Sequence, residues 1–336
     1  MYRKKINVAY FPIGNKLDLE AYDRLDADFK EWIQYSVDNR FSTLNADLPT
    51  LKLWHLNGSE MRVGSKQTLY TFYELDKPTP TEKTLASLQD HVCFSSSYST
   101  EKFERAGVKN CSTVPPGFDE DFHVTSKTYL PEKIHFGLMG KWEKRKRTCE
   151  IIKAWAHKYG DNYKYQLSCC ITNPFFTPEQ MNQTIGQCLE GKRYGNINFI
   201  PYLKTNSEVN DFLNSIDIDL TGLSGAEGWN LPAFNATCLG KWSIVLNCTS
   251  HKDWATEDNC ILVEPEGKEP AYDGVFFKEG QDFNQGNIYK ISTDTIIEKM
   301  EFAESKCHNK NLEGLKLPTK FPYSATLDGL LDKLTV

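Results

Sequence analysis

Short apolar runs rich in β-branched and aromatic residues alternate with helix-like stretches along almost the whole chain, and this alternation most narrows what it can fold into. Such a pattern builds parallel sheets from βαβ units. In the first part the expected strands are Ile6–Phe11, Leu51–His55, Thr68–Tyr73, His91–Ser95 and Cys111–Val114, with a helix over Tyr98–Ala106 stopped by Gly107. Pro115-Pro116-Gly117 and the polar stretch 119–132 break the rhythm. It then resumes with strands Ile134–Met139, Tyr165–Ile171, Ile197–Ile200, Ile216–Thr221, Trp242–Leu246 and Ile261–Glu264. Helices are expected at Thr148–Tyr159, Pro178–Leu189, Glu208–Ser215, Leu231–Leu239, Thr293–Cys307 and Leu327–Leu334. The class is α/β, and 336 residues at roughly 100 to 200 per domain predict two domains.

Composition removes several classes of function. Forty-five acidic against 39 basic side chains leave a net charge of -6, so no global positive field draws the chain to nucleic acid. No run approaches the ~18 to 20 apolar residues of a membrane span. The N-terminus is basic, but the apolar stretch after it is short, contains Pro12 and lacks a small-residue cleavage site, which predicts a cytoplasmic protein. The 10 cysteines are scattered without a C-x-x-C pair and read as buried free thiols rather than a zinc site. There is no G-x-G-x-x-G and no Walker lysine loop, so dinucleotide and P-loop readings have no support.

Two segments carry chemistry. The first, Gly140-Lys-Trp-Glu-Lys-Arg-Lys-Arg147, follows a strand and leads into a helix. Ligands of α/β sheets bind at the carboxyl ends of strands, and a dense run of cations there can hold a diphosphate; a solvated basic turn is the plain alternative. The second, Thr221-Gly-Leu-Ser-Gly-Ala-Glu-Gly-Trp-Asn-Leu-Pro-Ala-Phe-Asn235, is again strand, glycine-rich loop and helix. Pro232 suits a first helical turn, so the backbone N–H groups of Gly228, Trp229, Asn230 and Leu231 make an anion- and hydroxyl-binding helix start. Glu227 before it can accept hydrogen bonds from sugar hydroxyls, or simply complement the helix terminus.

Together these segments resemble the donor half of GT-B glycosyltransferases of the retaining family 4 (group 1) type. Val92-Cys-Phe-Ser-Ser-Ser97 and Val114-Pro-Pro-Gly-Phe-Asp119 are similar to the end of that family's first domain. Phe136-Gly-Leu-Met-Gly-Lys141 with Lys146 resembles its "f-v-G-R-x4-K" pattern, with Lys141 in place of arginine. Glu227 to Asn235 resembles its E-x7-E motif, with Asn235 in place of the second acid and Asn230 where glycine is frequent.

The resemblance implies two Rossmann-like parallel-sheet domains facing across a cleft, an acceptor-side domain over 1–124, a nucleotide-sugar domain over 125–315, and a C-terminal segment, 316–336, crossing back. It also implies transfer from a nucleotide-sugar with retention and without a cofactor or metal. Lys141, Lys146 and the amides from Gly228 onward would take the leaving diphosphate, with Arg145 a spare cation. Glu227 would face the donor sugar, Asn235 the ribose, and Pro201 and Tyr202 after a strand the base. On the acceptor side Gly14 resembles a phosphate-approaching glycine loop. His55 and Glu74 follow strands and are candidates to face the cleft, although a lone histidine is more often structural. The acceptor is open: a glycan, a lipid-linked sugar, a protein, a small molecule or a modified DNA base. Asn235 and the short first domain motivate a competing reading, a non-catalytic sugar-nucleotide or glycan-binding protein of the same fold.

Overall fold

The computed structural model describes residues 1–127 and 129–334. In chain order its elements are α1 (Ala27–Asp38), α2 (Arg40–Thr43), β1 (Pro49–Leu53), β2 (Lys66–Thr71), α3 (Pro80–Ser87), β3 (His91–Phe94), α4 (Ser97–Arg105) and β4 (Cys111–Thr113). Then follow β5 (Ile134–Lys141), α5 (Thr148–Tyr159), β6 (Tyr165–Thr172), α6 (Pro178–Cys188), β7 (Ile197–Phe199), α7 (Asn206–Ser215), β8 (Ile218–Asp219), α8 (Leu231–Cys238), β9 (Trp242–Leu246) and β10 (Ile261–Val263). The hairpin β11 (Gly267–Pro270) and β12 (Asn287–Lys290) precedes α9 (Thr293–Lys306), α10 (Leu317–Lys320) and α11 (Tyr323–Asp332). Helix starts are locally encoded. Thr79, Thr177 and Thr205 each close a capping box with an acid or amide three residues on, before α3, α6 and α7.

Two parallel sheets result, β1-β2-β3-β4 and β10-β9-β8-β5-β6-β7, with the antiparallel pair β11-β12 beside them. In the larger sheet the chain enters at β5, moves outward through β6 and β7, then crosses to β8 on the other side of β5. The strand order therefore reverses between β5 and β8, which opens a crevice at their carboxyl ends. Helices cover both faces, so Phe136, Leu167, Ile218 and Ile244 are fully buried against Trp155, Tyr159 and Met300.

The smaller sheet is completed from outside. Leu69, Val92, Phe94 and Phe103 form one core with Ala226, Ala271, Phe277 and Ile288. On the opposite face Leu330 of α11 packs with Tyr70, Cys93 and Val114, while Thr326 Oγ1 donates to Pro115 O (2.8 Å) and Thr68 Oγ1 to Lys333 O (3.2 Å). The final helix thus crosses back onto the first sheet.

Three expectations change. Ile6–Phe11 is not a strand: Tyr10 N–H donates to Ser36 O of α1 (3.0 Å) and Ile6 N–H to Met1 O (3.2 Å), and the sheet begins at β1. Ile216–Thr221 narrows to β8, because Thr221–Leu223 winds into a 3-10 turn. Cys149 and Cys188 are joined as a disulfide between α5 and α6, with Cα atoms 5.7 Å apart; eight other cysteines are free thiols, mostly buried. No helix among the described residues is long and apolar enough to cross a membrane.

Candidate functional site

The crevice between β5 and β8 is where the two sequence segments meet. Glu143 and the 3-10 turn Lys144–Lys146 follow β5, and Arg147 takes φ 54° before α5 starts. This turn is laced to the loop after β8: Gly225 N–H donates to Arg145 O (2.7 Å) and so does Ser224 Oγ (3.1 Å).

The side chains then form a charge cluster. Lys146 Nζ lies 2.5 Å from Glu227 Oε1, and Arg145 NH1 3.0 Å from Glu227 Oε2. Arg145 also reaches Glu143 Oε2 through Nε (2.8 Å), Ala226 O through NH1 (2.8 Å) and, at 3.7 Å, Glu74 Oε1 of the first domain. Burial alone would raise the Glu227 carboxyl, but Lys146 and Arg145 outweigh it and hold it down to about 2. Burial lowers Lys146, with Glu227 acting against that. Burial raises Glu74, and Glu227 and Glu143 add to this while Arg145 opposes it. Glu227 is therefore an ionised, acceptor-only group, whereas Glu74 is shifted toward carrying a proton.

The loop from Glu227 to α8 is held tightly. Glu227 N–H donates to Thr249 Oγ1 (3.1 Å) and Gly228 O accepts from Ser95 Oγ (2.8 Å). A Cβ on Gly228 would stand 2.9 Å from Phe72 Cβ, so only glycine fits this close approach to the first domain. Asn230 adopts φ 67°, ψ 62°, the left-handed region that asparagine tolerates best after glycine, which explains how it fills a position where the related motif often has glycine. Its Nδ2 donates to Thr221 O and to His251 Nε2, both at 3.0 Å. His251 Nδ1 lies 2.8 Å from Leu246 O and therefore carries the proton, in keeping with the burial that lowers its pKa. Trp229 points away into a core with Phe234, Trp254 and Phe321.

The remaining sequence candidates are spread more widely. Lys141 ends β5 with its side chain 54% exposed, and its closest carboxylate, Glu143 Oε1, is 3.9 Å away. Pro201 and Tyr202 follow β7 and are exposed; Leu231 opens α8, exposed, and Asn235 lies one turn in, buried. His55 is exposed, edge-on to Trp54, and its charge acts to lower Glu74. Gly14 sits in an exposed turn at φ 78°, with open space where a Cβ would be.

Four features escaped sequence reasoning. Glu143 was legible as the lone acid inside the basic run. Thr249 and His251 carry no signal at all; in the hairpin the aromatic and polar loop 276–286 reads as a sugar-contacting loop or a packed connection, but its grip on the first domain depends on distant contacts. Lys144 Nζ donates to Pro270 O (2.7 Å) and Arg147 NH2 pairs with Glu269 (2.9 Å), so the basic turn is tied to β11. The same hairpin grips the first domain. Asp76 Oδ2 meets Lys268 Nζ (2.9 Å), Asp76 Oδ1 accepts from Asn287 N–H (2.8 Å), and Glu82 Oε1 accepts from Asn284 N–H (2.7 Å).

No family model matches the sequence, and no curated protein does. Solved structures do match in shape. Sucrose-phosphate synthase from Thermosynechococcus elongatus aligns over 91% of this chain and 77% of its own, at 11% identity and TM-score 0.66. HepE from Anabaena, in complex with UDP and glucose, aligns over 80% and 71% at 11% identity and TM-score 0.62. TarM aligns over 86% of this chain and 55% of its own at 10% identity and TM-score 0.62, so the chain spans about half of TarM. These are GT-B glycosyltransferases, and the two parallel-sheet domains with the returning C-terminal helix are the GT-B fold. At about a tenth identity it is the fold that is shared.

Proposed function

We propose that the chain is a metal-independent retaining glycosyltransferase that moves a sugar from a nucleotide-sugar to an acceptor hydroxyl, with 125–315 holding the donor and 1–124 the acceptor. The observation that carries this is the meeting of Lys146 and Glu227 at the strand-order reversal of a GT-B fold. HepE is described in complex with UDP-glucose, and a TarM variant with UDP and alpha-GlcNAc-glycerol, which supports a donor of this class.

In this reading Lys141 and Lys146 and the α8 amides offset the charge that grows on the departing diphosphate. Lys146 exchanges its Glu227 oxygen for a phosphate oxygen, and Glu227 turns to the sugar hydroxyls. Asn235 offers the ribose a neutral amide. The bond from the anomeric carbon to the phosphate oxygen breaks, the acceptor oxygen bonds to that carbon on the same face, and the acceptor proton passes to the leaving phosphate.

A second reading, a non-catalytic sugar-nucleotide binder, is favoured by the mutual neutralisation of Lys146 and Glu227. One experiment separates them: thermal melting with nucleoside diphosphates and nucleotide-sugars, followed by an assay of diphosphate release in EDTA. A ligand of the folded state alone raises the melting temperature by mass action. The transferase reading expects a selective shift, release of diphosphate in EDTA, and a loss of about 100-fold or more in Lys146→Ala. A shift without turnover leaves the binder. No shift with any nucleotide overturns both.

A further inference from the structure

Beside the charge cluster, at the carboxyl ends of β5 and β6, stands an aromatic pair the proposed chemistry does not use. Phe175, after β6, is 65% exposed, although a phenyl ring of this size ordinarily buries itself. Its ring centroid lies 5.0 Å from that of Phe276, tilted by 56°. Lys141 Nζ sits over the Phe276 ring, 5.5 Å from its centroid.

The backbone beneath both rings is held in place before any ligand arrives. Asn173 is buried; its Oδ1 accepts from Phe175 N–H (2.9 Å), its Nδ2 donates to Trp142 O (3.1 Å), and its carbonyl accepts from Phe176 N–H (3.1 Å). Phe276 N–H donates to Asp273 Oδ1 (2.9 Å), and Phe276 packs beside buried Phe277 on the hairpin loop gripped by Asp76 and Glu82. An exposed apolar surface held this firmly, with an ammonium at its rim, costs solvation without helping the core.

We propose that Phe175 and Phe276 form a carbohydrate subsite on the donor-side domain, which takes a pyranose ring of an acceptor reaching across from the 1–124 side. The apolar C–H face of the sugar lies on Phe175, with the Phe276 ring beside it. The identity of that sugar as acceptor rests on the transferase reading, whereas its binding does not. A nucleobase fits less well. Its in-plane donors and acceptors need partners, and the buried amide beside Phe175 already has both ends engaged. Sugar hydroxyls rotate to suit what is present. Tyr202, 69% exposed after β7, is a separate aromatic left for the base.

Saturation-transfer NMR on the intact protein, using methyl α-D-glucopyranoside, methyl α-N-acetylglucosaminide and maltotriose as probes and uridine as the competing ring, tests this. At least one sugar is expected to bind wild type and Phe175→Trp. In Phe175→Ala its affinity is expected to fall about three- to tenfold, the scale of one aromatic contact, with the uridine signal unchanged. Because Phe175 is exposed, the alanine variant should melt like wild type. Absence of sugar binding, or equal sugar binding in wild type and Phe175→Ala, overturns the subsite. Loss of uridine instead of sugar in Phe175→Ala makes it a base platform and overturns it too. Sugar binding that depends on Phe175 in a protein that turns over no nucleotide-sugar would leave the subsite standing and the transferase reading fallen.

Discussion

One face of the six-stranded sheet carries its own core, whereas neither face of the four-stranded sheet does. That face of the larger sheet is filled by residues between Phe136 and Ala303, all from its own part of the chain. The smaller sheet shares its core with Ala226, Ala271, Phe277 and Ile288, and its other face with Leu330. A small sheet buries too little surface to stand alone, so the first domain is stabilised by the one it faces. The site inherits this, since Gly228 and Arg145 touch the first domain at Phe72 and Glu74.

The contrast can be broken by two equal truncations. Phe277→Ala should cost about 3 to 5 kcal/mol and open the distant β1–β4 region to trypsin, because it removes the plug of a shared core. Trp155→Ala, buried wholly within the larger core, should cost a similar amount while leaving β1–β4 protected until the whole chain melts. Identical cleavage patterns would show one cooperative unit and dissolve the distinction.

A smaller effect is expected from Glu227→Gln, about 3 kcal/mol, since it leaves Lys146 buried without its carboxylate. The sign with pH follows from a folded-state pKa of about 2 against the ordinary 4.5. The stability from Glu227 is complete above about pH 4.5 and is lost as pH falls toward 2. Urea melts across that range should slope in wild type more than in the variant; equal slopes would remove Glu227 from the cluster. The smallest effect belongs to Glu74→Gln, within about 1 kcal/mol and stabilising at pH 7. Burial raises Glu74, so the folded state holds its proton more tightly and wild type loses stability as pH rises through the carboxylate range. A lower melting temperature in this variant at pH 7 would instead make the Glu74–Arg145 contact a net link between the domains.

The same contrast governs what could be read from sequence. In the larger domain local pattern and fold agree: α5 falls on Thr148–Tyr159 and β9 on Trp242–Leu246, because each apolar run is buried by its own neighbours. In the smaller one, Ile6–Phe11 has a strand's composition but no strand beside it, and no property of six residues announces that. Thr79-Pro-Thr-Glu82 does signal a helix start, although α3 is not among the expected helices. At the site, strand and loop spacing bring Lys146 and Glu227 to one crevice. The turning of Arg145 inward to three carboxylates, while Lys141 stays in solvent, depends on a single 3-10 turn and on Glu74 from another domain. Spacing along the chain contains neither.

Two backbone amides bridge the hairpin and the first domain, Asn284 donating to Glu82 and Asn287 to Asp76. Their hydrogens can trade with deuterium only when those two parts separate. Timed against the amides of β5, they are a built-in clock for how often the halves of the molecule part.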